Sequence, residues 1–431
     1  MDHTQALPDD AIAAILRRLE LRDLAASRCV RKAWHDVVDA HRLLLPHVLP
    51  NTVHGLFVNY IDHGRPHFLA RPSARPMFDG NLSFLPDHRR GIINTMVDHC
   101  NGILLYRCWT SFYVVNPATR RWDALSCEYG YSDEYIVFDP VTSPHYEVFS
   151  IPRVPEKVVR RKSERLTKVS ACLTSLVSRE TERSRGPRED LHDFMEWPPS
   201  AWTLSVFSSS TRQWQERSFV REGQAAGTLT SVRLDPEEPI CKWWGGPRWR
   251  YGAYWQGSLY VHCRGAFSVR FYLLDCKYQV INAPVDTKDA MYLGKSEQGI
   301  YLATEHIEYK LQVWTLNESS GQMEWVLKYH IDLEPWNMIW LRHLKEDSYD
   351  TCSSSMSFLG FHPYKEVVFL ALSTFGGVAY HLKSSKIQYL GDLRPKDYYQ
   401  AHSNGLYEAF PYTPCLLGEL LEHTTETRRR N

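Results

Sequence analysis

FYVVNPATRRWDAL, Phe112 to Leu125, reads as a strand, a turn and a second strand. Aromatic and β-branched residues come first, Asn116-Pro117 supplies turn chemistry, and Trp122 opens the return. The same plan recurs in LSVFSSSTRQWQER from Leu204, RFYLLDCKYQVINAP from Arg270, QVWTLNESSGQMEWVLKY from Gln312 and GVAYHLKSSKIQYL from Gly377. Each return strand carries a large residue soon after its turn, namely Trp122, Trp214, Val280, Trp325 or Tyr389. Such side chains suit the space between stacked sheets.

Two further patterns surround these hairpins. CNGILLYRC, YWQGSLYVHC, EQGIYLAT and SNGLYEAF place Gly102, Gly257, Gly299 and Gly405 just before an apolar strand. IVFDPVTSPHYEVFSI and LGFHPYKEVVFLAL give strand, proline-bearing turn, strand. Degenerate strand repeats, with Gly257 and Gly299 about one blade apart, point to radial repetition, a β-propeller of roughly six to eight blades.

Working outward to the amino terminus, the period changes from two to 3.6. In LPDDAIAAILRRLELRDLAASRCVRKAWHDVV, Leu7 to Val38, Ile12, Ile15, Leu16 and Leu19 fall on one helical face. Pro8, Asp9 and Asp10 suit a first turn, and Arg17 and Arg18 suit the opposite end. Asp23 is expected to cap a second helical segment through Leu24, Val30, Trp34, Val37 and Val38, continuous or broken near Arg31. A unit of about forty residues is too small to bury so much apolar surface unaided, so a neighbour is expected.

Leu7-Pro8-Asp9-Asp10, Ile15-Leu16-x-x-Leu19, Asp23-Leu24 and Arg28-Cys29-Val30-x-Lys32-x-Trp34 resemble the F-box, the docking module of SCF ubiquitin-ligase receptors. Glu20 stands where that family usually has proline, and Arg31 where it often has cysteine. The resemblance implies that Leu7, Pro8, Ile12, Ile15, Leu16, Leu19, Leu24, Val30 and Trp34 form or support the surface gripped by a Skp-type adaptor and, through it, a cullin. CNGILLY, VVNPATRRW, FDPVTSPHYEVF, EWPPSAWTLSVFSSSTRQW and FPYTPCLL resemble the F-box-associated, kelch-like propeller region of plant F-box proteins. The implied fold is α+β and multidomain: a helical F-box over 1–45, an all-β propeller over 46–421 and a disordered tail over 422–431.

Lys+Arg and Asp+Glu stand at 50 each among 431 residues, so no net field draws the chain to nucleic acid or anionic lipid. No apolar run is long enough to span a bilayer, and the ten cysteines form no C-x-x-C pair. A soluble cytoplasmic or nuclear chain with reduced thiols is expected. The strand rhythm breaks over 152–197, where a basic insert reads as solvated loop with a short helix through Leu166, Val169, Leu173 and Leu176. Its VVRRK is the alternative, a nuclear-import or phosphate-binding patch.

No nucleophile elbow, zinc helix, Walker loop or dinucleotide fingerprint occurs, and no cofactor, metal ligand or catalytic residue is assigned. Asp139 and Asp275 read as turn residues rather than a carboxylate pair. KWWGGPRWRYGAYW, Lys242 to Trp255, is the candidate target-binding segment, because Trp243, Trp244, Arg248, Trp249 and Arg250 are of hot-spot type. Tyr251, Ala253 and Trp255 alternate and are expected to wedge between blades. The expected function is a non-catalytic substrate receptor for ubiquitination of a target protein. The alternative is a propeller enzyme or small-ligand sensor with a helical cap.

Overall fold

A computed structural model describes residues 7–19, 21–28, 30–41, 43, 52–60, 63–70, 78, 80–86, 94–108, 111–126, 132–155, 194–233, 251–284, 290–306, 309–319, 321–336, 356–372, 376–393, 395 and 406–416. The basic run 156–193, the segment 234–250 and the tail 422–431 lie outside these residues.

The amino-terminal periodicity becomes three short helices, α1 (Asp9–Leu16), α2 (Leu21–Arg28) and α3 (Lys32–Ala40). Pro8 is the N-cap of α1, and its carbonyl accepts from the Ala11 and Ile12 amides at 2.9 and 3.1 Å. Asp9 and Asp10 occupy the first turn, where the helix dipole favours carboxylates. Arg17 and Arg18 lie just beyond the helix end rather than in its last turn. The expected N-cap at Asp23 is displaced: α2 begins at Leu21, so Asp23 sits within the first turn.

Two strands, β1 (Gly55–Tyr60) and β2 (His67–Ala70), precede a series of four-stranded antiparallel meanders. Blade 1 comprises β3 (Thr95–Cys100), β4 (Ile103–Cys108), β5 (Ser111–Asn116) and β6 (Arg121–Leu125). Blade 2 starts with β7 (Ser132–Phe138) and β8 (Tyr146–Pro152). After β9 (Glu196–Trp197), it resumes as β10 (Ala201–Ser208) and β11 (Gln213–Glu222). A short β12 (Gly227–Thr228) pairs with β9 and leads into α4 (Leu229–Arg233).

Blade 3 holds β13 (Gly252–Trp255), β14 (Ser258–His262), β15 (Phe267–Tyr272) and β16 (Lys277–Asn282). Blade 4 holds β17 (Ala290–Ser296), β18 (Gly299–His306), β19 (Lys310–Ser319) and β20 (Gln322–Asp332). Blade 5 holds β21 (Met356–Phe361), β22 (Val367–Leu372), β23 (Gly376–His381) and β24 (Lys386–Asp392). Finally β25 (Leu406–Tyr412) pairs with β1, so blade 6 is built as β25-β1-β2 from both halves of the chain.

Contacts run from β3 to β7, β13, β17, β21, β25 and back to β3, which closes a ring of six innermost strands. Six apolar clusters fill the six junctions between neighbouring blades. Blades 6 and 1, for example, share Phe57, Phe410 and Tyr412 with Leu104, Tyr106 and Val115. Blades 3 and 4 share Tyr260 and Ile281 with Leu293, Leu302 and Trp325. The fold is thus a six-bladed propeller among the described residues, at the lower end of the sequence expectation.

The recurring motifs have fixed places in this ring. The TRRW-type hairpins join the third and fourth strands of blades 1 to 5. Arg120, Arg212, Cys276 and Ser385 take φ near +50° at their turns, and Gly321 takes φ +78° at that of blade 4. The glycine motifs of Gly102, Gly257 and Gly299 and the two proline-bearing motifs share one position, the turn between first and second strands, whereas Gly405 lies outside the described residues. Asn101-Gly102 has φ of +43° and +88°, as suits a two-residue turn that matches strand twist.

Of the large residues after the outer turns, Trp122, Trp214, Val280 and Trp325 pack against inter-blade clusters. Tyr389 does not, being 48% exposed. It lies on β24, the outermost strand of blade 5, opposite Val378 of β23. Blades 2 and 3 differ, since β11 and β16 pair in parallel and fuse the two meanders into one eight-stranded sheet.

Candidate functional site

The helical module carries its own core. Ile12, Ala13, Leu16, Leu24, Val37, Val38 and Leu43 are buried together, with Leu19 and Trp34 packed against them. Leu16 and Leu24 are 2% and 0% exposed. Leu7, Ile15 and Val30 are 41%, 54% and 64% exposed, and Pro8 is exposed as well. The nine residues that the F-box resemblance singles out therefore fall into three groups. Ile12, Leu16 and Leu24 hold the helices together, Leu19 and Trp34 sit half-covered, and Leu7, Pro8, Ile15 and Val30 face outward.

The break between α2 and α3 presents Val30 and places the Arg31 guanidinium 5.3 Å from the Trp34 ring centroid, in cation–π range. Ser27 Oγ donates to the Leu24 carbonyl at 2.7 Å, tying down the end of α2.

In the propeller, the first strands and the turns that follow them line an axial cavity. Its wall includes Asp98, His99 and Asn101 of blade 1, Tyr251 and Tyr254 of blade 3, Tyr292 and Lys295 of blade 4, Phe358 of blade 5 and Glu408 of blade 6. Asn101 Nδ2 donates to the Phe138 carbonyl at 2.7 Å, and Lys295 Nζ donates to Asn101 Oδ1 at 2.7 Å. Blades 1 and 4 are opposite in the ring, so this pair crosses the axis.

Burial, helped by the charge of Lys295, lowers the His99 pKa to about 4, so this imidazole is neutral at pH 7. Burial likewise lowers Lys295 below the ordinary lysine range, against the opposing influence of Cys100 and Asp139. Burial pushes the Cys100 thiol up to about 11. The Asp98 carboxylate accepts from the Ile136 amide at 2.9 Å, and Asp139 accepts from the Val141 amide at 3.0 Å, the turn role expected of it.

No group of three or more His, Cys, Asp or Glu residues suited to a metal ion occurs among the described residues. No helix there is long and apolar enough to cross a membrane. The proposed target-binding residues Trp243, Trp244, Arg248, Trp249 and Arg250 lie outside the described residues. Their neighbours Tyr251, Ala253 and Trp255 do pack between blades 3 and 4. Sequence reasoning passed over Asn101 and Lys295. Their signal is positional: each sits beside the turn between first and second strands, and aligning the repeats would have placed both at the axis.

Residues 5–45 match the F-box domain. The helices α1 to α3 and their core are thus an F-box, followed in the chain by a propeller. The F-box protein At5g07610 of Arabidopsis thaliana is 22% identical over 356 residues, covering 76% of this chain and 70% of that one. At3g16210, described as an F-box protein of the same plant, is 28% identical over 161 residues, 34% of this chain and 41% of its own length. Among solved structures, YCF48 bound to D1 peptide covers 80% of this chain and 84% of its own, at 9% identity and a TM-score of 0.34. A chain of the mitotic checkpoint complex covers 81% and 84%, at 8% identity and 0.32. Neither superposition bears on the fold, which rests on the strand pairings above.

Proposed function

We propose that the chain is a non-catalytic substrate receptor of an SCF-type ubiquitin ligase. The F-box docks a Skp-type adaptor, the adaptor links to a cullin, and the propeller presents a target protein for ubiquitination. The observation that carries this reading is the split within the F-box: its helices close a core of their own, yet Leu7, Pro8, Ile15 and Val30 remain outward. Together with the F-box match, that split supports a separate polypeptide as the cover for these side chains.

A receptor contributes proximity. Holding a target beside the activated ubiquitin carrier turns a bimolecular encounter into a tethered one and raises the local concentration of its lysines. The chemistry then belongs to the partners.

The test is capture of purified Skp-type adaptor and cullin by the full chain. Wild type is expected to bind, and the double variant Ile15→Asp, Val30→Asp to lose binding while keeping its melting profile. Failure of the folded wild type to bind beside an active F-box control would overturn the reading.

A further inference from the structure

The axial cavity contains a charge that the protein satisfies only in part. An ammonium has three N–H donors. Among the described residues, Lys295 Nζ has one hydrogen-bond acceptor, the neutral amide oxygen Asn101 Oδ1 at 2.7 Å. Asp139 acts on it through space, but the oxygens of Asp139 already accept from the Val141 amide at 3.0 Å and the Tyr254 hydroxyl at 3.4 Å. The other titratable groups of the wall are accounted for differently. Asp98 holds the Ile136 amide, His99 is neutral, and Glu408 is 4% exposed and engaged within the protein, though among the described residues no hydrogen bond reaches its Oε1. Lys295 is therefore the cation with donors to spare in a recessed cavity walled by both aromatic and polar side chains, where a charge-assisted hydrogen bond is stronger than in open water.

We propose that the axial cavity is a binding site for a small oxyanion, a carboxylate or phosphate group, held by Lys295 with Asn101 as the hinge of the site. The anion takes the free ammonium donors, and Asn101 stays anchored to blade 2 through its bond to the Phe138 carbonyl. The group arrives either as a free small anion or on an acidic or phosphorylated side chain of a bound protein. This site is independent of the adaptor-docking face, and its test uses no adaptor, so either reading can fail without the other.

Inorganic phosphate and acetate are titrated into the full chain at fixed ionic strength, with chloride as control, and followed by phosphate line broadening and calorimetry. Saturable binding is expected in wild type. Lys295→Met should weaken it by about ten- to hundredfold, the loss of a charged hydrogen bond, whereas Lys295→Arg should largely retain it. Non-saturable binding to wild type, or equal binding to the folded methionine variant, overturns the proposal. If that variant does not fold, the wild-type melting temperature decides. A rise that saturates with phosphate at matched ionic strength supports the site, and a strictly linear rise, the general effect of an excluded salt, overturns it. Short peptides carrying aspartate or phosphoserine separate the two sources: tighter binding than the free anions assigns the group to a protein side chain, and weaker binding assigns it to a free anion.

Discussion

Arg212, at the outer turn of blade 2, donates from Nη1 and Nη2 to the two carboxylate oxygens of Asp123 in blade 1, at 3.1 and 2.7 Å. The Tyr146 hydroxyl of β8 completes the acceptor at 2.7 Å. Asp123 is 1% exposed, so the fork clamps two blades around a buried charge. Arg212 takes φ +56°, and this turn conformation carries its guanidinium back toward the preceding blade.

Replacing Asp123 with alanine strands the Arg212 fork and the Tyr146 hydroxyl. The expected loss is about 2–3 kcal/mol, below that of a fully buried pair because Arg212 is half exposed. Urea unfolding of the full chain measures it. Loss below about 0.5 kcal/mol would mean that the fork contributes little to holding the blades together.

Glu366 in blade 5 predicts an acid-sensitive junction. Burial alone would raise its pKa, but hydrogen bonds from Lys328, Tyr329 and Lys383 and the charge of Lys328 outweigh burial and bring it down to about 2. Its carboxylate accepts from the Tyr329 hydroxyl at 2.8 Å, the Tyr301 hydroxyl at 3.1 Å and Lys383 Nζ at 3.1 Å, and it pairs with Lys328. A depressed folded pKa gives stability that is present above the ordinary value of 4.5 and lost as pH falls toward 2. Glu366→Gln should therefore be less stable than wild type at pH 7, with a shallower decline across that acid window. Parallel acid declines of the two proteins would contradict this assignment.

Within the F-box, neighbouring positions should behave oppositely. Leu16→Ala removes a core side chain that is 2% exposed and should cost about 2–5 kcal/mol of module stability. Ile15→Asp, at 54% exposure, should change stability by about 0.5 kcal/mol or less while removing adaptor capture. Thermal melting beside a pull-down separates the two effects.

Two turn glycines make a matched pair. At Gly102, φ is +88° and a Cβ would lie 2.5 Å from both Cys415 Cβ and the Cys415 amide nitrogen. At Gly257, φ is +76° with nothing within 4 Å. Gly257→Ala should cost only the left-handed backbone term, about 1–2 kcal/mol, whereas Gly102→Ala should cost more, because it pushes on the segment that follows β25. Equal losses in denaturant unfolding would rule out that close approach as a contributor.

Much of this architecture was legible locally. The aromatic and β-branched run FYVVN, the turn residues of Asn116-Pro117 and the i, i+4 spacing of Ile12 and Leu16 act over a few residues, and each produced the expected strand, turn or helix. The same periodicity left a continuous or broken second segment open, and the chain breaks it between α2 and α3. The local pattern was silent on partners. Tyr389 has the composition of an inter-blade filler, yet it ends 48% exposed on β24.

The sequence by itself determined that the chain joins a helical unit to a series of strand hairpins, because side-chain period and turn chemistry are properties of adjacent residues. Only the tertiary structure decided that there are six blades, that β25 closes the ring on β1 and that β11 meets β16 in parallel. It alone put Leu16 inside the F-box and Ile15 outside, and brought Lys295 to Asn101 across the axis. Those outcomes depend on which surfaces meet when the ring closes, and burial, unlike period, is a property of the whole packed chain.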